Sequence, residues 1–312
     1  NALTLVIGGG TGMATFNGSS YNNNSGTING NATFNGSSYN RGTVNGNAIL
    51  NTTYYNGAAP EGNELVIATT KLWRGEVKGT VYNKNGVGVG NKITQYTFNG
   101  GVTTKSFNLG TINGNVTFNN NTYQDHTGVI NGNATFYGNS YNYIGKINGN
   151  ATFYDTSNNQ GPISGDATFE DSAVPQSSTL SGNVLLNTTG AVSMGSRMTG
   201  ALKTLTMSGS GTVTLTKANT HTGLTTVGAG TLAYGTNNAL GSGDVTVNGG
   251  TLDMGGYTDT VGAVTLKGGA ITGTTGILTG TSYALESGTI SAKLGGAGAT
   301  LTKTGAGTAT LS

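Results

Sequence analysis

The chain has 312 residues, of which 56 are glycine, 3 are proline and none is cysteine, and its formal net charge is +2. The missing cysteine excludes a disulfide framework, cysteine-ligated zinc and thiol chemistry, and the absence of a Gly-X-Y period excludes collagen. Basic residues are scattered, so we expect no nucleic-acid partner. No apolar run reaches the length of a transmembrane helix, so we expect no membrane insertion in this segment.

A short repeated motif dominates the first 190 residues. One copy, at residues 26–40, reads GTINGNATFNGSSYN. Its first half alternates as an extended strand does, with Ile28, Ala32 and Phe34 on one side. Its second half has the composition of a turn and ends in Tyr39 and Asn40. Such a short unit cannot bury its apolar side alone, but stacked copies can, so the motif predicts a repeat architecture.

Copies of the motif recur about every 17 residues, a period that suits one coil of a β-solenoid and is too short for a propeller blade. Stacking the copies in register predicts internal ladders of isoleucine, phenylalanine and tyrosine, with threonine and asparagine ladders outside. The central glycine of each copy predicts a narrow bend where a Cβ atom would not fit. The most regular members are Ile28, Ile130 and Ile147, then Phe34, Phe118 and Phe136, then Tyr21, Tyr39, Tyr123 and Tyr141, and outside them Thr33, Thr117, Thr135, Thr152 and Thr168.

Residues 56–108 depart from the plain motif but keep its register. Gly46 and Gly114 lie 68 residues apart, which predicts four decorated coils rather than a separate domain. The alternation from Trp73 to Tyr82 predicts one long strand with a charged outer face. Because the only tryptophan and a cluster of charges interrupt a plain wall here, we predict a partner-binding surface at Trp73, Arg74, Glu76, Lys78 and Tyr82.

The repeat changes from residue 191 onward. Strands alternate around Val213, Val245, Leu252 and Val264, and Gly-Gly and Asn-Gly turns separate them. Residues 209–216 recur at 305–312, a super-repeat of 96 residues. We therefore predict a β-solenoid of NGNATF-type coils at residues 1–190, with decorated coils at 56–108. A second β-helical repeat with longer coils follows at residues 191–312, continuous with the first.

Residues 205–312 resemble the passenger-associated repeats of bacterial autotransporters. The matching text is TVTLTKANTHTGLTTVGAGTL at 212–232, ALGSGDVTVNGGTLDMGG at 239–256, TVGAVTLKGGAITG at 260–273 and LTKTGAGTATL at 301–311. The resemblance implies a right-handed parallel β-helix on a secreted protein at the bacterial cell surface, often an adhesin or its stalk. The first part is similar to Asn/Gly/Thr-rich repeats of large bacterial surface proteins. The expected fold class is all-β, a parallel β-solenoid.

Few residues offer catalytic chemistry. The two histidines, His126 and His221, stand in turn-like segments, and we interpret both as ordinary turn or surface residues. Asp155 and Asp171 each follow a phenylalanine by two residues and lie one coil apart, so they are expected to stack at about 5 Å. This pair is a candidate for a Ca²⁺ site or for polysaccharide cleavage, or else two solvated loop acids. We predict no enzyme, no catalytic residue and no cofactor.

Together these patterns predict a structural or adhesive protein outside the bacterial cell, such as a stalk or fibre segment. The alternatives are a β-helical protein that binds or cleaves polysaccharide and, from the threonine rows, an ice-binding protein. The expected partners are glycans or proteins of host or neighbouring cells. Neither terminus carries a charged or proline-rich cap, and open strand edges predict end-to-end self-association.

Overall fold

The computed structural model of the chain is all-β. It describes residues 13–22, 27–28, 31–36, 38–40, 43–44, 48–52, 54–55, 64–68, 72–73, 76–77, 95–99, 106–108, 111–112, 114–120, 122–124 and 128–312. These residues belong to two compact units, residues 1–151 and residues 152–312. Within the described ranges, no helix is long and apolar enough to cross a membrane.

Short strands build the first unit, and most copies of the motif contribute three of them. The strands are β1 (Met13–Phe16), β2 (Tyr21–Asn22), β3 (Thr27–Ile28), β4 (Asn31–Gly36), β5 (Tyr39–Asn40), β6 (Thr43–Val44), β7 (Ala48–Thr52), β8 (Tyr54–Tyr55), β9 (Glu64–Ala68), β10 (Leu72–Trp73), β11 (Glu76–Val77), β12 (Gln95–Asn99), β13 (Ser106–Asn108), β14 (Thr111–Ile112), β15 (Asn115–Asn119), β16 (Thr122–Gln124), β17 (Val129–Ile130), β18 (Ala134–Tyr137), β19 (Tyr141–Asn142) and β20 (Lys146–Ile147).

Successive coils of this unit pair in parallel and in register. The longest ladder runs β1–β4–β7–β9–β12–β15–β18. A second ladder runs β8–β10–β13–β16–β19, and a third runs β11–β14–β17–β20. Side chains that hydrogen-bond between neighbouring coils are 17 or 18 residues apart. The predicted coil length is therefore confirmed.

Stacked apolar side chains fill the interior of the first unit. The rings of Phe118 and Phe136 are fully buried and stack with centroids 4.7 Å apart and planes 7° apart. Phe16 stacks on Phe34 in the same way at 4.8 Å. Burying each such side chain contributes roughly 1.5–3 kcal/mol, and each stacked pair adds about 1 kcal/mol. The isoleucine ladder is buried as well, at Ile28, Ile130 and Ile147.

The central glycines of the motif lie where two backbones approach closely. A Cβ atom on Gly132 would meet the carbonyl group of Gly114, and one on Gly149 would meet that of Gly132. In the second unit, Gly182 stands in the same relation to Gly165. The predicted narrow bend is confirmed, because a side chain at these positions would push one coil away from the next.

Tyr21, Tyr123 and Tyr141 are not buried, so the predicted internal tyrosine ladder is wrong at these positions. Tyr21 is 37% exposed, and Tyr141 is half-buried with its ring 5.8 Å from that of Tyr123. The residues on either side of Tyr141 are buried instead, namely Ser140 and Asn142.

The serine before the tyrosine explains this orientation. Ser38 is fully buried, and its Oγ donates a hydrogen bond to the carbonyl of Asn35 at 2.8 Å. In this coil the inward hydroxyl closes the turn from inside. Because side chains alternate along a strand, the residue after such an inward serine turns toward solvent, as Tyr141 does after the buried Ser140. A narrow corner accepts serine and asparagine inside more readily than a bulky ring.

The longest ladder passes residues 56–108 in three steps, so the predicted number of four coils is wrong. Leu65 lies beside Ala48, Tyr96 lies beside Leu65, and Val116 lies beside Tyr96. The step from Leu65 to Tyr96 spans 31 residues. The ladder therefore takes one long step here instead of two, because parallel pairing requires register but leaves the connection free in length.

The strands from residue 151 onward are longer on average. They are β21 (Ala151–Phe153), β22 (Asn158–Asn159), β23 (Ala167–Asp171), β24 (Val174–Pro175), β25 (Thr179–Leu180), β26 (Val184–Thr188), β27 (Ala191–Met194), β28 (Arg197–Met198), β29 (Leu205–Met207), β30 (Thr212–Leu215), β31 (Thr225–Val227), β32 (Thr231–Tyr234), β33 (Val245–Asp253), β34 (Asp259–Thr260), β35 (Ala263–Thr272), β36 (Ile277–Thr279), β37 (Ser282–Leu285), β38 (Gly288–Ile290), β39 (Lys293–Gly295), β40 (Thr300–Lys303) and β41 (Ala309–Leu311).

Two parallel ladders run side by side in the second unit. One is β23–β26–β29–β31–β33–β35–β37–β40. The other begins β27–β30–β32, continues through the second halves of β33 and β35, and ends with β38 and β41. Near the start of this unit, side chains that bond to the next coil are still 16 to 18 residues away, but from Asn183 onward the distance is 19 to 22 residues. The predicted lengthening of the coils is confirmed.

The alternation predicted for this part is also confirmed, since the residues at its apolar positions are buried: Val213, Leu215, Val245, Leu252, Val264 and Leu266. The parallel pairing and the buried columns of both units show the predicted fold class, an all-β parallel β-solenoid. The division predicted at residue 190, and continuity across it, stay predictions.

Replacing Gly182 by alanine tests the close approach of backbones. We expect Gly182→Ala to lower the free energy of unfolding by about 2 kcal/mol or more, because the new methyl group would overlap the backbone of Gly165 and Asp166. The measurement is the midpoint of urea unfolding. The matched control is Gly228→Ala, whose Cβ would lie an ordinary 3.5 Å from the carbonyl of Met207. Equal shifts in both variants would contradict the packing argument.

Candidate functional site

Asparagine and aspartate side chains connect successive coils at one corner. The backbone N–H of Asn133 donates to Oδ1 of Asn115 at 2.9 Å, and that of Asn150 donates to Oδ1 of Asn133 at 2.9 Å. The second unit repeats the contact through Asp166, Asn183 and Thr204. The recurring asparagine of the NGN motif thus supports the corner, a role that the repeat pattern by itself does not indicate.

Asp155 and Asp171 lie on neighbouring coils, as predicted. The N–H of Asp155 donates to Oδ2 of Asp171 at 3.3 Å. Both residues have a left-handed backbone, with φ of 57° and 52°, and Gly138 occupies the corresponding turn with φ of 65°. Aspartate is one of the few residues that tolerate this conformation. Throughout the described ranges, no group of three or more His, Asp or Glu side chains is placed to hold a metal ion.

His221 is buried, so its interpretation as a turn or surface residue is wrong; His126 lies outside the described residues. The Nε2 atom of His221 is 3.1 Å from Oγ1 of Thr225, and burial lowers the pKa of His221 to about 4. Asn219 explains the inward turn. Its Oδ1 accepts the N–H of Met198 at 2.7 Å and its Nδ2 donates to the carbonyl of Ala239. Because Asn219 binds both neighbouring coils, the segment that follows it, which includes His221, is held inside the wall of the solenoid.

Asp259 is a buried acid in an otherwise apolar column. It is 1% exposed and lies between Leu240 and Leu278, which are buried too. Its carboxylate accepts the N–H groups of Leu240 at 2.8 Å and Thr260 at 2.7 Å. Burial nevertheless raises the pKa of Asp259 to about 6. Burial and the nearby Asp259 raise the pKa of Tyr234 well above its usual value.

No motif in the sequence predicts this buried cluster, although one signal is present. The aspartate of GYTDTVG occupies a position where the neighbouring coils have leucine. His221 and Asp259 lie inside the wall at 0% and 1% exposure. Because neither side chain can contact an external substrate, we expect both to affect the stability of the wall.

The structure describes only part of the predicted partner-binding surface. Trp73 ends β10 and Glu76 begins β11. Because β10 and β11 pair within different ladders, these two residues lie on different faces of the coil, and the predicted single long strand is wrong. Arg74, Lys78 and Tyr82 lie outside the described residues. That this region binds a partner stays a prediction.

Two surface depressions lie in the second unit. One, of about 320 Å³, is lined by Ser177, Ser178, Thr179, Gly195, Arg197 and Lys217. The other, of about 270 Å³, includes Asp166, Asn183, Thr204 and Thr206 in its lining. Asp155 and Asp171 line neither depression.

We expect calcium to leave the unfolding temperature of the chain unchanged. Ca²⁺ takes six to eight oxygen ligands, and the Asp171 carboxylate already accepts a backbone N–H. Calorimetric scans with CaCl₂ and with a chelator measure the effect. The control is Asp155→Asn/Asp171→Asn, since asparagine tolerates the same backbone conformation. If calcium raised the unfolding temperature of the wild-type chain but not that of the double variant, the result would establish a metal site and contradict the expectation.

The two buried titratable groups act on stability in opposite directions. The folded pKa of Asp259 lies above its usual 3.8, so its contribution is present below pH 3.8 and is lost as pH rises through about 6. The folded pKa of His221 lies below its usual 6.5, so its contribution is present above pH 6.5 and is lost as pH falls through about 4. Between these limits each group contributes a slope of up to about 1.4 kcal/mol per pH unit, and the two slopes oppose each other.

Single substitutions are therefore expected to expose the opposing slopes. Relative to the wild-type chain, the unfolding free energy of Asp259→Asn should rise more steeply from pH 4 to pH 6.5, because only His221 remains. The unfolding free energy of His221→Gln should fall from pH 4 to pH 6.5, because only Asp259 remains. Urea unfolding at several pH values measures both, and the double variant serves as the control with neither slope. Unchanged slopes in cooperatively folded single variants would contradict the assignment.

Comparison with known proteins adds one finding to this geometry. The sequence model of the passenger-associated-transport-repeat family matches residues 205–233, which contain β29–β31 and most of β32. No curated protein and no solved structure matches the chain. A repeat of this family implies secretion toward the cell surface or the extracellular space. The match covers residues 205–233 only, and together with the parallel β-solenoid it fits an autotransporter passenger repeat protein.

Proposed function

We propose that this passenger segment is adhesive and contacts glycans or proteins of host or neighbouring cells. The observation that carries the proposal is the passenger-associated-transport repeat at residues 205–233, set in a parallel β-solenoid. Such a wall repeats its outward side chains from coil to coil. A repeated surface suits contact with ligands that are themselves repetitive, such as polysaccharides.

The outward chemistry of the wall supports contact with sugars. Thr206, Thr226, Thr246 and Thr265 lie in register on successive coils and are half-buried between buried neighbours. Charged residues make up only 8% of the chain. Hydroxyl groups exchange hydrogen bonds with water for hydrogen bonds with sugar hydroxyls without the large desolvation cost of buried charge.

The alternatives have less support. Polysaccharide cleavage would require two carboxylates beside a bound sugar, and Asp155 and Asp171 do not line the described depressions. Ice binding would require an even threonine face. The row of positions that holds these threonines also contains Leu185 and Ala284, so the threonine face is not even. We therefore favour a non-enzymatic adhesive role.

Binding of the purified chain to immobilised glycans and to whole cells tests the proposal. We expect saturable binding to at least one glycan class or cell type, and no new reducing ends after incubation with the bound glycan. The heat-unfolded chain is the control, because it has the same composition without the stacked surface. A lack of saturable binding would contradict the adhesive role, and release of reducing ends would favour the enzyme.

A further inference from the structure

The 320 Å³ depression is formed by three successive coils of the second unit. Residues 177–179 contribute its first edge, with Thr179 at the start of β25. The next coil contributes Gly195 and Arg197, and Arg197 lies directly beside Thr179 in the pairing of β25 with β28. Lys217, on the third coil, completes the lining.

A glycine and two ordered hydroxyl groups shape the depression. A Cβ atom on Gly195 would overlap the carbonyl of Gln176, so the backbone there fits closely against the previous coil. Oγ of Ser178 and Oγ of the buried Ser196 share a hydrogen bond of 2.8 Å. Asn159 Nδ2 also donates to Oγ of Ser178 at 2.8 Å. The polar surface beneath the two cations is therefore held in place before any ligand arrives.

The charge of the depression is positive. Arg197 and Lys217 are exposed, and the lining of the depression contains no carboxylate. The whole chain has 14 Lys and Arg residues and 12 acidic residues. Two cations at one depression are therefore a local concentration of positive charge on a weakly charged surface. The guanidinium group can bind a carboxylate, sulfate or phosphate through two parallel hydrogen bonds, and the ammonium group supplies a second charge.

We propose that this depression binds an acidic glycan, with carboxylate or sulfate groups on Arg197 and Lys217 and sugar hydroxyls on the serine and threonine groups. The inference deepens the proposed adhesive function and rests on it. The ligand class follows from the lining, which has two cations, three hydroxyl side chains and no aromatic or large apolar side chain. An apolar peptide would find no complementary surface there. A single small anion would gain little at so exposed a site, whereas a chain that carries several anionic groups can contact both cations at once.

The test compares binding of the full chain to three immobilised glycans of similar length, one sulfated, one with uronic acids and one neutral. We expect binding to at least one acidic glycan and at least tenfold weaker binding to the neutral one. Arg197→Gln/Lys217→Gln should weaken acidic-glycan binding at least tenfold, and higher salt should weaken wild-type binding. The sulfated and uronic arms distinguish the two sources of negative charge.

The control variant is Lys267→Gln/Lys293→Gln, at two exposed lysines elsewhere in the same unit. It removes the same number of positive charges as Arg197→Gln/Lys217→Gln. We expect it to bind as the wild-type chain does, and thermal unfolding confirms that both variants fold. Equal losses in the two variants, unchanged binding in Arg197→Gln/Lys217→Gln, or equal affinity for single-stranded DNA of the same charge would overturn the inference. Binding only to neutral glycans or proteins would also overturn it while leaving the adhesive role intact. No binding to any glycan, protein or cell would remove both proposals.

Discussion

In-register parallel hydrogen bonding between successive coils is the constraint on which the rest of this structure depends. It places each residue about 4.8 Å from its counterpart on the next coil, so side chains at equivalent positions form columns. Phe153 and Phe169 lie 5.1 Å apart with nearly parallel rings. Wherever a column brings backbones together, as at Gly149 and Gly182, only glycine fits.

The same constraint limits charge. A column of like charges on neighbouring coils would repel, whereas amides can donate to one coil and accept from another. Asn148 Nδ2 donates to Oδ1 of Asn131 at 2.6 Å, for example. A polar wall built mainly from threonine, asparagine and serine therefore stacks without repulsion. Against that background the exceptions are conspicuous: Asp259 inside the wall, and the pair Arg197 and Lys217 on its surface.

The candidate site was less predictable than the fold, for a physical reason. A repeated pattern reports which positions are equivalent, but only the path of the backbone at each corner decides which way a side chain points. His221 is drawn inward because Asn219 binds two coils. Asp171 meets Asp155 because both adopt the same left-handed turn. The depression at Arg197 joins three coils, and no single repeat contains more than part of it.

The sequence by itself determined the period of the coils, the apolar columns of Phe118 and Phe136, the close approach at the central glycines, and the relation to passenger repeats at residues 205–233. Each of these follows from local alternation and spacing, which survive in the folded chain because stacking preserves register. Tertiary structure alone decided that Tyr21 and Tyr141 are not buried and that the longest ladder takes one step, not two, from Leu65 to Tyr96. It also decided that His221 and Asp259 lie in the core. Those outcomes depend on corner geometry and on contacts between coils, and a linear pattern contains neither.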